Sequence, residues 1–224
     1  MLQKRITKTK LLLLIITSVL ILLFVNFKIN TDIKVLEKKL IDLKRSPNYI
    51  KIEDISPIFL NAIISIEDRR FFEHNALDFK AILRALKTLY NSSDYIEGGS
   101  TITQQTVKNL CLNNKRNFKR KFEEVFLSYA LEKTLSKKEI LELYVNSIYF
   151  GNGYIGINSA SKGYFKKLPR NLNYEEATLL AGVPQAPSKY ALNKDSGLKL
   201  ALKRQKYVKL ALEHLDIKEN FQKN

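Results

Sequence analysis

The N-terminal segment constrains this chain most, because it is apolar and carries no charge from Leu11 to Phe27. A helix of that length roughly spans a hydrocarbon core about 30 Å thick. Basic residues precede it, and the positive-inside rule then places the N-terminus in the cytoplasm and the chain after Lys28 outside. A cleaved signal peptide is the alternative, but residues 27–31 offer no small-x-small cleavage site. We therefore predict an uncleaved, single-pass anchor over residues 11–29, after a cytoplasmic basic tail at 1–10.

The pattern of the remaining chain predicts one mainly helical domain. Apolar residues recur at helical spacing after Ser56-Pro57, and strand-like alternation is nearly absent. Side chains suited to helix N-caps follow at Asp78, Ser100, Ser136 and Asn173, and the last two have the capping-box spacing to Glu139 and Glu176. We predict an all-α domain over residues 51–215, with a short hairpin near 151–156. A polar stalk at 30–50 and a polar tail at 216–224 flank it.

The chain is strongly basic, with 38 Lys and Arg against 22 Asp and Glu and a formal net charge of +16. Such a charge favours an anionic partner, namely nucleic acid, an anionic membrane surface or a phosphate-bearing substrate. The predicted orientation places the basic domain away from nucleic acid, which leaves the other two classes. The single cysteine, Cys111, excludes an intrachain disulfide, and the few His and Cys residues have no zinc-ligand spacing.

Acidic and basic residues cluster where the first predicted helix of the domain ends, from Glu67 to Asp78. A carboxylate at the end of an apolar helix is partly removed from water, which raises its pKa and suits it to act as an acid or a base. Spacing alone nevertheless favours a solvated helix end with ion pairs, and His74 alone is typical of a structural hydrogen-bond partner.

A second candidate site combines glycines, hydroxyls and amides from Gly98 to Gln105 with a basic segment that follows. The glycines allow close approach of the backbone, and the helix start offers free N–H groups to an anion. Lys108 and the basic residues at 115–121 add positive charge, although such clusters are usually a solvated face. A diphosphate at the bilayer surface would satisfy both features. Glu124, four residues after Arg120, either orients that arginine or acts as a second catalytic carboxylate.

Together these segments resemble the motifs of glycosyltransferase family 51, the peptidoglycan glycosyltransferases. The motif E-D-x-x-F-x-x-H-x-G-x-D is matched by Glu67, Asp68, Phe71, His74 and Asp78, and G-G-S-T-I-T-Q-Q is matched in full from Gly98 to Gln105. R-K-x-x-E is matched by Arg120, Lys121 and Glu124, and S-K-x-x-I-L-x-x-Y-x-N from Ser136 to Asn146. A fifth motif is matched between Glu176 and Ser188. The match covers roughly residues 50–210 and, with no transpeptidase domain following, resembles the monofunctional form.

The resemblance implies a bilobal, mostly helical fold with a lysozyme-like lobe and a small lobe near the membrane. It implies polymerisation of lipid II into β-1,4-linked glycan strands, with inversion at the anomeric centre and release of undecaprenyl diphosphate. Glu67 is then the general base on the acceptor 4-hydroxyl, and Glu124 assists. The implied substrate-binding residues, for diphosphate and sugar, are Ser100, Thr101, Gln104, Gln105, Lys108, Arg116, Arg120, Lys121 and Asn146. The implied structural residues are Asp68, Phe71, His74, Gly98 and Gly99.

The same resemblance implies no tightly bound cofactor and no metal held by protein ligands. A divalent cation, Mg or Mn, would accompany the substrate diphosphate. The expected partners are lipid II, the lipid-linked growing glycan, the plasma membrane, and transpeptidases or proteins of the division and elongation machinery. The expected location is the extracytoplasmic face of a bacterial plasma membrane.

Three positions depart from the motifs, namely Ala76 for a glycine, Ser161 for an alanine and Ala191 where Asn-Pro is common. If the turn at Ala76 needs a positive φ, alanine costs about 1 kcal/mol there. Two other functions stay open, a lysozyme-like lytic enzyme with Glu67 as general acid and a non-catalytic scaffold that binds lipid II. The complete GGSTITQQ and the basic segment argue against the first, and only Ala76 supports the second.

Overall fold

The computed structural model describes residues 16–17, 31–90, 98–111 and 118–215. Within these ranges the chain is mainly helical, as predicted, and an isolated antiparallel bridge between Tyr149 and Ile155 lies at the predicted hairpin. The helices are α1 (31–44), α2 (Pro57–Glu67), α3 (Phe79–Tyr90), α4 (Ile102–Cys111), α5 (Phe118–Thr134), α6 (Lys137–Ser147), α7 (Ile157–Phe165), α8 (Tyr174–Ala181) and α9 (Asp195–Glu213). Single 3-10 turns lie at Ile52–Asp54, Pro169–Asn171 and Val183–Gln185.

Side-chain caps mark the start of four of these helices, α3, α4, α6 and α8. Ser136 caps α6 and Asn173 caps α8, and both predicted capping boxes are confirmed. Asp78 caps α3 through a 2.9 Å hydrogen bond from the backbone N–H of Ala81 to its carboxylate. The predicted cap of α4 was wrong by one residue, because Thr101 rather than Ser100 accepts the bond from the N–H of Gln104.

The helices pack in two groups around a shared core. Helix α2 packs against α8 and α9, while α4 packs against α5 and α6. The middle of α2 is buried from Phe59 to Ser65, and the ring of Phe59 lies 6.2 Å from that of Phe150. Burial of apolar side chains on this scale holds α2 in place, so its last residue, Glu67, sits on a rigid element.

The N-terminal part of the described chain also contacts this core. Residues 31–44, within the predicted stalk, are helical, and Leu36 is buried among the core side chains. Apart from residues 16–17, which are helical, the predicted anchor at 11–29 lies outside the described residues, as do the predicted tails at 1–10 and 216–224. In the part of the chain that the structure describes, no helix is both long enough and apolar enough to cross a bilayer.

Candidate active site

A cavity of about 340 Å³ opens at the C-terminal end of α2. Its wall is built by the end of α2 and the loop after it, the first turns of α3, residues 98–101 and one face of α9. Glu67, Ser100, Thr101 and Gln105 all line it, so two segments that the sequence singled out separately meet at one place.

Glu67 is the last residue of α2, and its half-buried side chain forms part of the cavity wall. Its Oε2 atom accepts a 2.8 Å hydrogen bond from Nε2 of Gln105. Burial raises the pKa of Glu67 above its ordinary value, although the hydrogen bond from Gln105 and the charges of Arg204 and Lys108 oppose the rise. A carboxylate with a raised pKa can take up or release a proton nearer neutral pH than a surface carboxylate can.

The loop after Glu67 is tied down by a network of buried polar groups. Asp68 accepts hydrogen bonds from His74 Nε2 at 2.7 Å and from the backbone N–H of Ile102 at 3.0 Å. Asp78 accepts from both ends of the Arg70 guanidinium, at 3.1 Å from Nε and more closely from Nη2. The network therefore joins the end of α2 to the starts of α3 and α4, which are three of the elements around the cavity.

The carboxylates of Asp68 and Asp78 and the ring of His74 bring three potential metal ligands within 4.8 Å of one another. Each of these groups already has a partner in the protein, since Arg70 pairs with Asp78 and His74 pairs with Asp68. A cation would face the guanidinium of Arg70 and break both pairs. We interpret the cluster as a structural network, the kind of role that the sequence predicts for Asp68 and His74.

Ala76 lies inside this loop and does not strain it. Of the described residues other than glycine, only Asn152 and Lys166 have a positive φ, so the turn at Ala76 does not need the left-handed geometry considered above. The Ala76 side chain is fully buried, and its carbonyl oxygen accepts a 2.8 Å hydrogen bond from Thr101 Oγ1. The second departure is also accommodated, because the hydroxyl of Ser161 donates to the carbonyl oxygen of Lys167 at 2.7 Å.

The start of α4 presents backbone and hydroxyl groups to the cavity. Thr101 and Gln104 form a reciprocal cap, because the N–H of Thr101 also donates to Oε1 of Gln104 at 3.0 Å. Gly98 and Gly99 line the cavity, and neither adopts a positive φ. A Cβ added at Gly98 would meet no atom within 4 Å of the described residues, so the missing side chain leaves open space there.

The basic segment reaches the cavity edge through one contact. Lys121 donates to Ser100 Oγ at 3.1 Å and also pairs closely with Glu124. Arg120 donates to the second oxygen of Glu124 at 2.9 Å, and the side chain of Glu124 is only 3% exposed. Glu124 therefore holds Arg120 and Lys121 together, beside the helix start that lines the cavity.

Other predicted site residues lie away from the cavity wall. Asn146 is buried, with its amide bonded to the backbone of Ile50 on both sides, at 2.9 Å each way. Phe71 is fully buried under the ammonium group of Lys137, which is 4.5 Å from the ring centroid. Lys108 is half-buried on α4, while Arg116 lies outside the described residues.

The structure adds residues that the motifs did not indicate. One face of α9 and the C-cap that follows it line the cavity, with Arg204, Tyr207, Leu210, Ala211 and His214. Arg204 is 5% exposed and follows the helical spacing of the buried residues Ala201, Val208 and Leu212. An arginine at a core-facing position is unusual, and that break in the apolar pattern was a signal in the sequence.

Comparison with known proteins agrees with this geometry. The family described as Transglycosylase matches residues 34–213, from within α1 to the end of α9. The biosynthetic peptidoglycan transglycosylase of Haemophilus influenzae is 49% identical over 149 residues, which are 66% of this chain and 61% of that protein.

Two relatives are much longer proteins. Penicillin-binding protein 1A of Aquifex aeolicus is 44% identical over 142 residues, 63% of this chain and 20% of its own length. Penicillin-binding protein 1A of Pseudomonas aeruginosa is 43% identical over 149 residues, 66% of this chain and 18% of its own length. The chain thus spans less than two thirds of each of these three relatives. Because the family match covers most of the chain and every element around the cavity, this chain belongs to the transglycosylase family.

Proposed function

We propose that this protein is a peptidoglycan glycosyltransferase that polymerises lipid II into β-1,4-linked glycan strands and releases undecaprenyl diphosphate. The observation that carries the proposal is the placement of Glu67, a half-buried carboxylate with a raised pKa that faces the same cavity as the GGSTITQQ helix start. The name of one relative, biosynthetic peptidoglycan transglycosylase, supports the same substrate class.

In the proposed reaction Glu67 acts as general base on the acceptor. Its carboxylate takes the proton of the 4-hydroxyl as that oxygen attacks C1 of the lipid-linked donor sugar. The bond from C1 to the diphosphate oxygen breaks, and its electron pair leaves with the diphosphate. Attack from the face opposite the leaving group inverts the α-linked donor to a β-1,4 product.

The leaving diphosphate gathers negative charge, so the site must supply positive charge close to it. Lys121, which contacts Ser100 at the cavity edge and has Arg120 beside it, supplies positive charge of this kind. The buried pairing of Glu124 with both cations supports an orienting role for Glu124, and Lys108 and Arg116 remain predicted contacts. A divalent cation, Mg or Mn, would neutralise further charge on the diphosphate when bound.

The proposal includes the setting of the enzyme. A single-pass anchor at 11–29 would hold the site at the height of a lipid headgroup, on the extracytoplasmic face of a bacterial plasma membrane. The mainly helical architecture of the described residues supports the lysozyme-like arrangement that the resemblance implies. Transpeptidases and proteins of division or elongation are the proposed protein partners.

Incubation of the full chain with purified lipid II tests the function and the role of Glu67 together. We expect long glycan strands from wild type and from Glu53→Gln, whose carboxylate is exposed on a 3-10 turn that does not line the cavity. Glu67→Gln should lower the rate by at least about 100-fold, the ordinary contribution of a general base. Polymerisation by Glu67→Gln at the wild-type rate would reject the assignment of the base.

A lytic function is the second candidate, because a carboxylate with a raised pKa also suits the general acid of a glycoside hydrolase. Mature sacculi offered to the same preparation separate the two. Soluble muropeptides from sacculi, with no strands from lipid II, would establish lysis and reject synthesis. Tight binding of lipid II with neither product would instead indicate the scaffold.

A further inference from the structure

Glu67 is connected to the interior of the protein through a short chain of hydrogen bonds. Tyr144 lies on α6, and its side chain is fully buried. Its hydroxyl donates to Oε1 of Gln105 at 3.5 Å, at the long end of the hydrogen-bond range. The other end of the same amide, Nε2, donates to Oε2 of Glu67 at 2.8 Å. Three side chains from α6, α4 and α2 therefore form one line that ends at the cavity.

The orientation of the Gln105 amide is determined by its two partners. Its oxygen must face the hydroxyl of Tyr144 and its nitrogen must face the carboxylate of Glu67 for each donor to meet an acceptor. A reversed amide would set its oxygen against the ionised carboxylate of Glu67, which is repulsive. Burial raises the pKa of the Tyr144 hydroxyl well above its ordinary value, so the hydroxyl keeps its proton and stays a donor. Within the described part of the chain, no hydrogen-bond partner faces the remaining oxygen of Glu67, Oε1.

We propose that Tyr144 is a positioning residue for the base: it holds the amide of Gln105, and Gln105 in turn fixes one oxygen of Glu67 so that the other faces the acceptor hydroxyl. The chemical consequence rests on the proposed function, whereas the arrangement of the three side chains does not. Tyr144 itself touches neither substrate nor the reacting atoms in this proposal.

The effect of removing the Tyr144 hydroxyl follows from the groups around Glu67. The hydrogen bond from Gln105 lowers the pKa of Glu67, as do the charges of Lys108 on α4 and Arg204 on α9, whereas burial and the charge of Asp68 raise it. Without the Tyr144 hydroxyl, Gln105 is no longer fixed and its bond to the carboxylate weakens. The pKa of Glu67 should then rise further, because a hydrogen bond that favours the ionised form is weakened.

A carboxyl NMR titration of the full chain in detergent tests this without any turnover. The protein carries ¹³C-labelled glutamate, and loss of one resonance in Glu67→Gln assigns the signal of Glu67. We expect the measured pKa of Glu67 to be higher in Tyr144→Phe than in wild type and to be unchanged in Tyr49→Phe. Tyr49 is a matched control, because its hydroxyl also bonds to α6, through Oε1 of Glu142 at 2.5 Å. An identical Glu67 titration in the two tyrosine variants would overturn the proposal.

A double-mutant comparison checks that Tyr144 acts through Gln105. Gln105→Leu should itself raise the Glu67 titration, and Tyr144→Phe should add nothing further in that background. An equal shift from Tyr144→Phe with and without Gln105 would reject the route through the amide.

Kinetics on lipid II supply the readout that a purely structural role would not move. In Tyr144→Phe the acid limb of the pH–rate profile should move upward with the Glu67 titration. At pH values below the pKa of Glu67, kcat of Tyr144→Phe should be about 3- to 10-fold lower than kcat of wild type, with KM unchanged. A shifted titration in a protein whose wild type makes no glycan would keep the positioning role and reject the proposed function. If wild type polymerises lipid II and the pKa of Glu67 is unchanged in Tyr144→Phe, the proposed function is kept and the positioning role is rejected.

Discussion

At the scale of single residues, Glu67 is a group whose ionised form the fold disfavours. Its raised pKa means that the folded chain binds this proton more tightly than the unfolded chain does. The contribution of Glu67 to the free energy of unfolding therefore falls as pH rises from about 4.3, the ordinary glutamate value, to the raised pKa, and is constant above it. Ionisation of this candidate base therefore lowers the free energy of unfolding of the protein that carries it.

Glu67→Gln should accordingly raise the free energy of unfolding at neutral pH, while it lowers the rate of polymerisation by at least about 100-fold. The gain should be about 1.4 kcal/mol for each unit by which the pKa of Glu67 is raised, and it should vanish near pH 4, where both proteins are neutral at this position. Denaturant unfolding at a series of pH values measures it. A gain that persists undiminished at pH 4 would trace the stability to packing rather than to charge.

His74 has the opposite dependence on pH. Burial alone would lower the pKa of His74, but the hydrogen bond and charge of Asp68 outweigh burial and raise it. A raised histidine pKa adds stability that is fully present below the unfolded value of about 6.5 and is lost as pH rises through the folded value. In His74→Gln we therefore expect the deficit in unfolding free energy to be largest at low pH and to shrink as pH rises. A deficit that grows with pH would contradict the ion pair with Asp68.

At the scale of helices, the predictable features were the local ones. The capping boxes of α6 and α8 involve residues three apart, so they could be predicted from the sequence spacing alone. The cap of α4 was harder, because Ser100 and Thr101 both carry a hydroxyl and only the backbone path decides between them. That path depends on Asp68 bonding to Ile102 and on Thr101 bonding to Ala76, contacts between segments distant in sequence.

Two cap variants separate helix stability from the site. Thr101→Val removes the two hydrogen bonds of the Thr101 hydroxyl, from the N–H of Gln104 and to the carbonyl oxygen of Ala76, and should cost about 1–2 kcal/mol. Ser136→Ala at the start of α6 should cost about 1 kcal/mol. Only Thr101→Val should also lower polymerisation of lipid II, because α4 carries Gln105 and Lys108. Thermal unfolding and the lipid II assay measure the two effects. Equal activity in both variants would show that the cavity tolerates a loosened α4.

At the scale of the whole molecule, the cavity joins segments from both ends of the domain. The motifs predicted Glu67 and the GGSTITQQ segment as site residues, and the structure brings them to one wall. They did not indicate α9, because its approach to Glu67 depends on packing against α2 and α8 rather than on any local pattern. Asn146 belongs to a matched motif and yet is committed to the backbone of Ile50, so motif membership alone did not distinguish a cavity residue from a buried support.

The charge of Arg204 provides the test of this long-range arrangement. It lowers the pKa of Glu67 across the cavity, so Arg204→Met should move the acid limb of the pH–rate profile on lipid II further upward. Lys203→Met is the matched control, because Lys203 precedes it on α9 and is exposed to solvent. Removing one member of a buried charged interaction can destabilise a fold, so thermal unfolding of both variants must show that the rate profiles are measured on folded protein. If both variants move the limb equally, the effect comes from the overall charge of the chain, and α9 is a wall of the cavity without electrostatic influence on its base.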